Sequence, residues 1–111
     1  MTPTATTEAI EHPAREDIEL AAVLHALSDP VRLKIVAAIA SRPDACPTGV
    51  IDVPVTKSTC THHFRVLREA GVIHQEAKGT ARLNTIRRDD LDARFPGLLD
   101  TILDAAPPTA A

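Results

Sequence analysis

The fold of this protein is decided by one stretch of its sequence, residues 57–72, which reads KSTCTHHFRVLREAGV. Its apolar residues Cys60, Phe64 and Leu67 are spaced three or four positions apart, the spacing of one face of an α-helix. Gly71 follows at the position where helices commonly end, because glycine accepts a left-handed backbone conformation. The pattern predicts an amphipathic helix that stops at this glycine.

The opposite face of this predicted helix, 56–70, is polar and basic. An α-helix fits the major groove of DNA, and side chains at its start reach the edges of the bases. Arginines further along the helix suit the backbone phosphates. The residues of this helix that we predict to bind DNA are Thr56, Lys57, Ser58, Thr61, His62, Arg65 and Arg68.

Two short strands are predicted after the helix, at 72–76 and 81–86, with a Lys-Gly turn between them. Lys78 and Arg82 lie on this hairpin, from which they would reach the neighbouring minor groove or its phosphates. A DNA-contacting helix followed by a hairpin is the arrangement of a winged helix-turn-helix. The predicted fold is therefore mainly α with a small β-hairpin.

Four further helices complete the prediction. Apolar periodicity indicates helices over 16–27 and 30–41, and the proline-rich segment after them has room for a short helix near 47–52. Helical spacing resumes over 89–105, where we expect Pro96 to bend or divide the helix.

The chain of 111 residues is long enough for one domain. We predict a flexible N-terminal arm over 1–15, a winged helix-turn-helix domain for DNA binding and dimerisation over 16–105, and a disordered tail over 106–111. No apolar run approaches the roughly 18 residues of a membrane helix, and no secretory signal is recognisable. The expected location is therefore the cytoplasm, without membrane contact.

The net charge of −3 conceals an uneven distribution. Residues 56–88 hold seven Lys/Arg and two Asp/Glu, whereas the flanking segments 1–55 and 89–111 are each net −4. The basic segment coincides with the predicted helix and hairpin, which favours DNA as the partner over a merely solvated face. Phe64 and Phe95 are the only aromatic side chains, too few for a surface that stacks single-stranded nucleic acid.

Two stretches resemble the signature sequences of the ArsR/SmtB family of small bacterial winged-helix repressors. They read LSDPVRLKIV at 27–36 and KSTCTHHFRVLREAGV at 57–72, and the resemblance spans about residues 16–104. It implies a homodimer joined through the first and last helices, which represses transcription at an inverted-repeat operator in double-stranded DNA and is released by an inducer. The apolar surface of those two helices agrees with a dimer, because one small monomer would leave it exposed.

Many members of this family sense metals, yet neither usual ligand pattern is complete here. Cys46 has no second cysteine two residues away, and the last predicted helix contains no histidine. An irregular site would combine His12 and Glu8 of the arm with Asp90 and Asp92 of the last helix. This nitrogen and oxygen set suits nickel or cobalt better than tetrahedral zinc, so a divalent metal such as nickel is a candidate inducer.

The alternative is a winged-helix regulator without a metal site, controlled by an effector protein or by thiol redox state at Cys46. A winged-helix module that binds a basic protein instead of DNA is a further competitor, because both ends of the chain are acidic. Catalysis is not expected, since Cys60, three residues before His63, is predicted to face the core. The chain also lacks phosphate-binding and hydrolase motifs.

Overall fold

The structure is a computed structural model, and it describes residues 10–106. The described part consists of α1 (Leu20–Ala26), α2 (Pro30–Ala40), β1 (Cys46–Pro47), α3 (Lys57–Ala70), β2 (Ile73–Lys78), β3 (Ala81–Ile86), α4 (Arg88–Arg94) and α5 (Leu98–Ala105). Residues 1–9 of the predicted arm and residues 107–111 of the predicted tail lie outside it. The mainly helical fold with a small hairpin, which we call the wing (β2 and β3), is confirmed.

The helix-turn-helix pair, α2 and α3, begins where the local sequence directs. The Asp29 side chain accepts hydrogen bonds from the backbone amides two and three residues further on, at 2.8 and 3.2 Å, and Pro30 occupies the first helical position. Thr56 caps α3, since its hydroxyl accepts from the backbone N–H of Thr59 at 3.2 Å. Both helices therefore start at residues that satisfy amides which the helix itself leaves unpaired.

The end of α3 is fixed by a close approach between Gly71 and Ile18. Gly71 has φ of +89°, and a Cβ at this position would lie 2.6 Å from Cγ1 of the buried Ile18. Any side chain here would force the Ile18 side chain to shift. The chain therefore turns sharply at Gly71 and enters β2.

The first helix is shorter than the predicted 16–27. Arg15–Asp17 form a 3-10 turn and Ile18 is extended, so that α1 begins only at Leu20. Ile18 leaves the helical path to pack against Gly71, a tertiary contact that periodicity alone does not reveal.

The last predicted helix is divided, as expected. Phe95 ends α4, and Gly97 precedes α5 with φ of +82°. Pro96 lies between the two helices, where its missing N–H and fixed φ interrupt the helical ladder. The prediction that Pro96 bends or divides this helix is confirmed.

The sheet has one strand that was not predicted. Its order is β1-β3-β2, all antiparallel, and Asn84 of β3 pairs with both Cys46 of β1 and Gln75 of β2. β1 is only two residues long and contains Pro47, so it has no alternation to recognise. The short helix predicted near 47–52 is a 3-10 turn, Thr48–Val50.

The core is aliphatic and lies between α1, α2, α3 and the sheet. Phe64 and Leu67 are buried within it, and Cys60 is half-buried against it, which confirms the apolar stripe of α3. Because this stripe faces inward, the opposite face of α3 is turned to solvent. That orientation positions the site described next.

Candidate nucleic-acid interface

The solvent-facing side of α3 presents most of the residues predicted to bind DNA. The exposed members are short hydroxyl side chains, an imidazole and cations, namely Lys57, Ser58, Thr61, His62 and Arg65. Their exposure follows from the helical period, because residues opposite a buried stripe point away from the core.

A groove of about 460 Å³ lies between α3 and the wing. It brings together six of the nine predicted DNA-binding residues: Ser58, Thr61, His62, Arg65, Arg68 and Arg82. Thr48 and Gln75 also line it, and neither was among the residues predicted to bind DNA. Of the other three predicted residues, Thr56 and Lys57 lie at the start of α3, and Lys78 is exposed at the end of β2.

Thr56 and Arg68 have structural tasks that the sequence did not reveal. The Thr56 hydroxyl donates to Thr59 Oγ1 at 2.9 Å and accepts from the Thr59 N–H, so its hydrogen is used within the helix start. Arg68 is half-buried, and its Nη1 donates to Gln75 Oε1 at 2.9 Å. Thr56 shapes the helix start, and Arg68 joins the helix to the wing.

The adjacent histidines of α3 face opposite environments. His62 is exposed in the groove, whereas His63 is buried with its Nδ1 3.0 Å from Nη1 of Arg32. A guanidinium only donates, so Nδ1 accepts and the proton of neutral His63 is on Nε2. Arg32 also donates to the carbonyl of Ala26 at 2.6 Å, which ties the end of α1 to α3.

Two arginines at the end of the basic segment form ion pairs with carboxylates of α4 and α5. Arg87 and Arg88 form ion pairs with Asp90 and Asp100, each at 2.8 Å. Hydrogen bonds from Arg15 and then Arg87 lower the pKa of Asp90. The other Lys and Arg residues of 56–88 all lie on α3 and the wing.

Comparison with known proteins agrees with this geometry. A helix-turn-helix domain family matches residues 27–76. The chain is also similar to the HTH-type transcriptional regulator YceK of Bacillus subtilis (strain 168), with 29% identity over 84 residues that cover 74% of this chain and 84% of YceK.

Two solved structures share the fold. One is an ArsR family transcriptional regulator, with a TM-score of 0.62, 16% identity, and coverage of 80% of this chain and 98% of that one. The other is the transcriptional repressor BigR from Xylella fastidiosa, with a TM-score of 0.60, 21% identity, and coverage of 87% and 100%. The chain contains a helix-turn-helix domain and shares the winged helix-turn-helix fold of these two proteins. The prediction of a regulator and not an enzyme is confirmed.

The N-terminal segment contacts the outer strand of the wing, β2. His12 Nε2 accepts from the Gln75 backbone N–H at 2.9 Å, and the His12 ring stacks on His74 with centroids 4.4 Å apart. Burial, followed by the charges of His74 and Arg87, lowers the pKa of His12. Arg87 also donates to the Pro13 carbonyl at 2.7 Å. Residues 10–13 of the predicted arm therefore lie against β2 and its surroundings.

The described residues do not fit the predicted metal site. His12 Nε2 is engaged by Gln75, and both carboxylate oxygens of Asp90 are held by arginines, Oδ1 by Arg15 at 2.7 Å and Oδ2 by Arg87. Asp92 is half-buried, and Glu8 lies outside the described residues. Within 10–106 no three His, Cys, Asp or Glu side chains are grouped to hold an ion.

The two cysteines are free thiols in protected positions. Cys46 is fully buried in β1, where Nη1 of Arg42 lies 3.3 Å from its Sγ. Burial raises the pKa of the half-buried Cys60 thiol, which disfavours the reactive thiolate. Neither position is typical of a redox sensor. Separately, no helix within 10–106 is long and apolar enough to cross a membrane.

Proposed function

We propose that this chain is a homodimeric repressor that binds an inverted-repeat operator in double-stranded DNA, with α3 in the major groove and the wing beside it. The observation that supports this most strongly is the groove between α3 and the wing. It gathers hydroxyls, an imidazole and three arginines, of which Arg68 is half-buried, on one face of the molecule. Such a face offers donors to phosphates and to base edges at the same time.

The length and charge of each side chain in the groove determine whether we expect it to contact a base edge or a phosphate. Ser58 and Thr61 lie in the first turns of α3, where short polar groups approach base edges. Thr61 donates to the Lys57 carbonyl at 3.0 Å, which leaves its oxygen as an acceptor for a base amino group. Arg65, one turn later, and Arg82 on the wing would bind phosphates.

The dimer is supported by apolar surface on the helices outside the groove. Leu20 and Leu24 of α1 are 45% and 46% exposed and lie one helical turn apart. Leu98, Ile102 and Leu103 of α5 are only half-buried. A two-fold partner that covers these faces would present two copies of α3, which matches an inverted repeat. Repression is proposed from the family resemblance and the likeness to BigR.

DNA binding is tested with duplexes that tile the region upstream of the gene, using fluorescence anisotropy at several salt concentrations. We expect a steep fall of affinity with salt, since each neutralised phosphate contributes about −0.9 to the logarithmic slope. Arg65→Ala should weaken binding to all sequences and make the slope shallower by about one. Glu69→Ala, an exposed change of one charge on the same helix, is the matched control. Absence of a preferred duplex would overturn the proposal and favour the protein-interaction module.

The dimer is tested by analytical ultracentrifugation of Leu24→Glu. A charge on the proposed contact face should convert the dimer to a monomer and abolish tight binding to the full repeat. Val50→Glu is the control, because Val50 is equally apolar, 54% exposed and outside α1 and α5. A Leu24→Glu variant that stays dimeric would place the interface elsewhere.

A further inference from the structure

A chain of side-chain hydrogen bonds crosses the molecule beneath the groove. Arg68 Nη1 donates to Gln75 Oε1 at 2.9 Å, and Gln75 Nε2 donates to Asn84 Oδ1 at 2.8 Å. Asn84 Nδ2 then donates to the Cys46 carbonyl and to Thr48 Oγ1, both at 2.9 Å. The chain joins α3, both strands of the wing, and β1 with the turn that follows it.

The two amides of this chain are buried at positions where apolar side chains would normally pack. Gln75 is 3% exposed and Asn84 is fully buried. They are cross-strand partners in the register of β2 and β3. A buried amide costs free energy unless its polar atoms are satisfied. Here both the oxygen and the nitrogen of each amide have partners.

The order of donors and acceptors in this chain of hydrogen bonds allows only one orientation of each of its two side-chain amides. Arg68 has only donors, so the Gln75 oxygen must face it and the Gln75 nitrogen must face Asn84. Rotating the Asn84 amide by half a turn would place two oxygens against each other at Cys46 and two nitrogens at Gln75. A contact between apolar side chains would tolerate sliding, whereas this chain specifies one spacing and one orientation.

We propose that Gln75 and Asn84 are positioning residues that set the distance between α3 and the wing for DNA binding. Arg68, Gln75 and Thr48 line the groove together with Arg65 and Arg82, so the chain forms part of its floor. A duplex that binds α3 and the wing at the same time requires a fixed distance between these two elements. Because the spacing between α3 and the wing is fixed before DNA binds, binding does not include the entropy cost of ordering these two elements. This inference rests on the DNA-binding function proposed above.

The test compares two substitutions at Gln75. Gln75→Met keeps the length of the side chain and removes both of its side-chain hydrogen bonds. Gln75→Glu keeps the acceptor for Arg68 but sets a carboxylate oxygen against Asn84 Oδ1. Affinity and salt slope are measured on the preferred upstream duplex, and stability by urea denaturation under the same conditions. Thr85→Ala, at an exposed position beside Asn84, is the matched control.

We expect Gln75→Met to weaken binding about tenfold and to make the salt slope shallower by about one, since the wing no longer reaches its phosphate from the right distance. Gln75→Glu should lose about threefold, because one link of the chain remains. Arg82→Ala should weaken the wild type more than it weakens Gln75→Met, a coupling that a merely stabilising residue would not produce. If Gln75→Met does not fold, Gln75→Glu and its coupling to Arg82→Ala decide the question.

Three outcomes separate the inference from the function on which it rests. If Arg65→Ala weakens binding while the folded Gln75 variants keep wild-type affinity and slope, the inference is wrong and the proposed function stands. If the Gln75 variants lose affinity without coupling to Arg82, their role is structural and the inference is also wrong. If the wild type prefers no duplex, the proposed function fails and the inference falls with it.

Discussion

The two halves of α3 use similar polar side chains for different purposes. In the first half, Ser58 and His62 are exposed along the groove. In the second half, Arg68 is hydrogen-bonded to the wing, and Gly71, directly after the helix, lies close against Ile18. The comparison teaches that a DNA-contacting helix needs two different ends. One is held within the fold, here through Arg68 and Gly71, and we call it the fixed end. The other is exposed, here with Ser58 and His62, and we call it the presenting end. Loss of the fixed end should impair folding, and loss of the presenting end should impair only binding.

The largest effect is expected at the fixed end, from Gly71→Ala. Its left-handed backbone and the 2.6 Å approach to Ile18 should together cost about 3 kcal/mol of unfolding free energy. Gly79→Ala is the control, since Gly79 has φ of +61° and a methyl group there would meet no atom within 4 Å, and it should lose about 1 kcal/mol. Urea denaturation measures both values. Equal losses would show that the contact with Ile18 contributes nothing.

The adjacent histidines sharpen the comparison within one turn of helix. His63→Ala leaves the buried Arg32 guanidinium without one of its partners and should cost about 2 kcal/mol of stability. His62→Ala should change stability by less than about 0.5 kcal/mol and weaken DNA binding instead. Parallel urea and anisotropy measurements give both readouts. A destabilising His62→Ala would contradict the division between the two faces.

A smaller effect is expected at the presenting end, from Ser58→Ala. Loss of one base contact should reduce discrimination by about 1 kcal/mol at particular operator positions and leave other positions unchanged. Glu69→Ala is the control, since Glu69 is exposed on the same helix but does not line the groove. Binding to a panel of single-base operator variants measures the change. A uniform loss across the panel would assign Ser58 to a phosphate.

The smallest effect is a pH dependence of the N-terminal contact. The pKa of His12 is lowered in the fold from its usual 6.5, so neutral His12 favours the folded contact. Its contribution is complete above pH 6.5 and is lost as the pH falls through the lowered value. Protonation would remove the acceptor for the Gln75 N–H and oppose His74, Arg87 and Arg68.

Hydrogen exchange of the Gln75 amide, corrected for the intrinsic rate, should therefore accelerate below pH 6.5. In His12→Ala the exchange should be fast at every pH, and in His25→Ala it should match the wild type. Exchange that stays slow through the acid range would show that His12 does not protect this amide.

The helix-turn-helix, the hairpin and the division at Pro96 were predictable because each has a local signal. Periodicity marked α3, glycine marked its end, and the missing proline N–H marked the last interruption. β1 was not predictable, because two residues with a proline carry no alternation. The start of α1 was not predictable either, since Ile18 is held by a residue 53 positions away.

The site was predictable to the extent that it depends on one helix face. Six predicted residues meet in the groove, but the partners of Thr56 and Arg68 could not be read from spacing. The buried amides had one available signal, because Gln75 lies two residues after the inward-facing Ile73 of β2. A polar side chain on the core side of a strand calls for a partner, and searching for that partner leads to Asn84.

The borders of the small sheet have a consequence for how the protein behaves in a crowded cell. Exposed strand edges are templates on which other chains add strands and aggregate. One border here is β1, which is two residues long and contains Pro47. The other border is β2, where His12 Nε2 accepts a hydrogen bond from the Gln75 backbone N–H and the strand ends at the charged residue Lys78. Truncating the chain before residue 14 would uncover this second border and should make fibrous or amorphous assemblies easier to form.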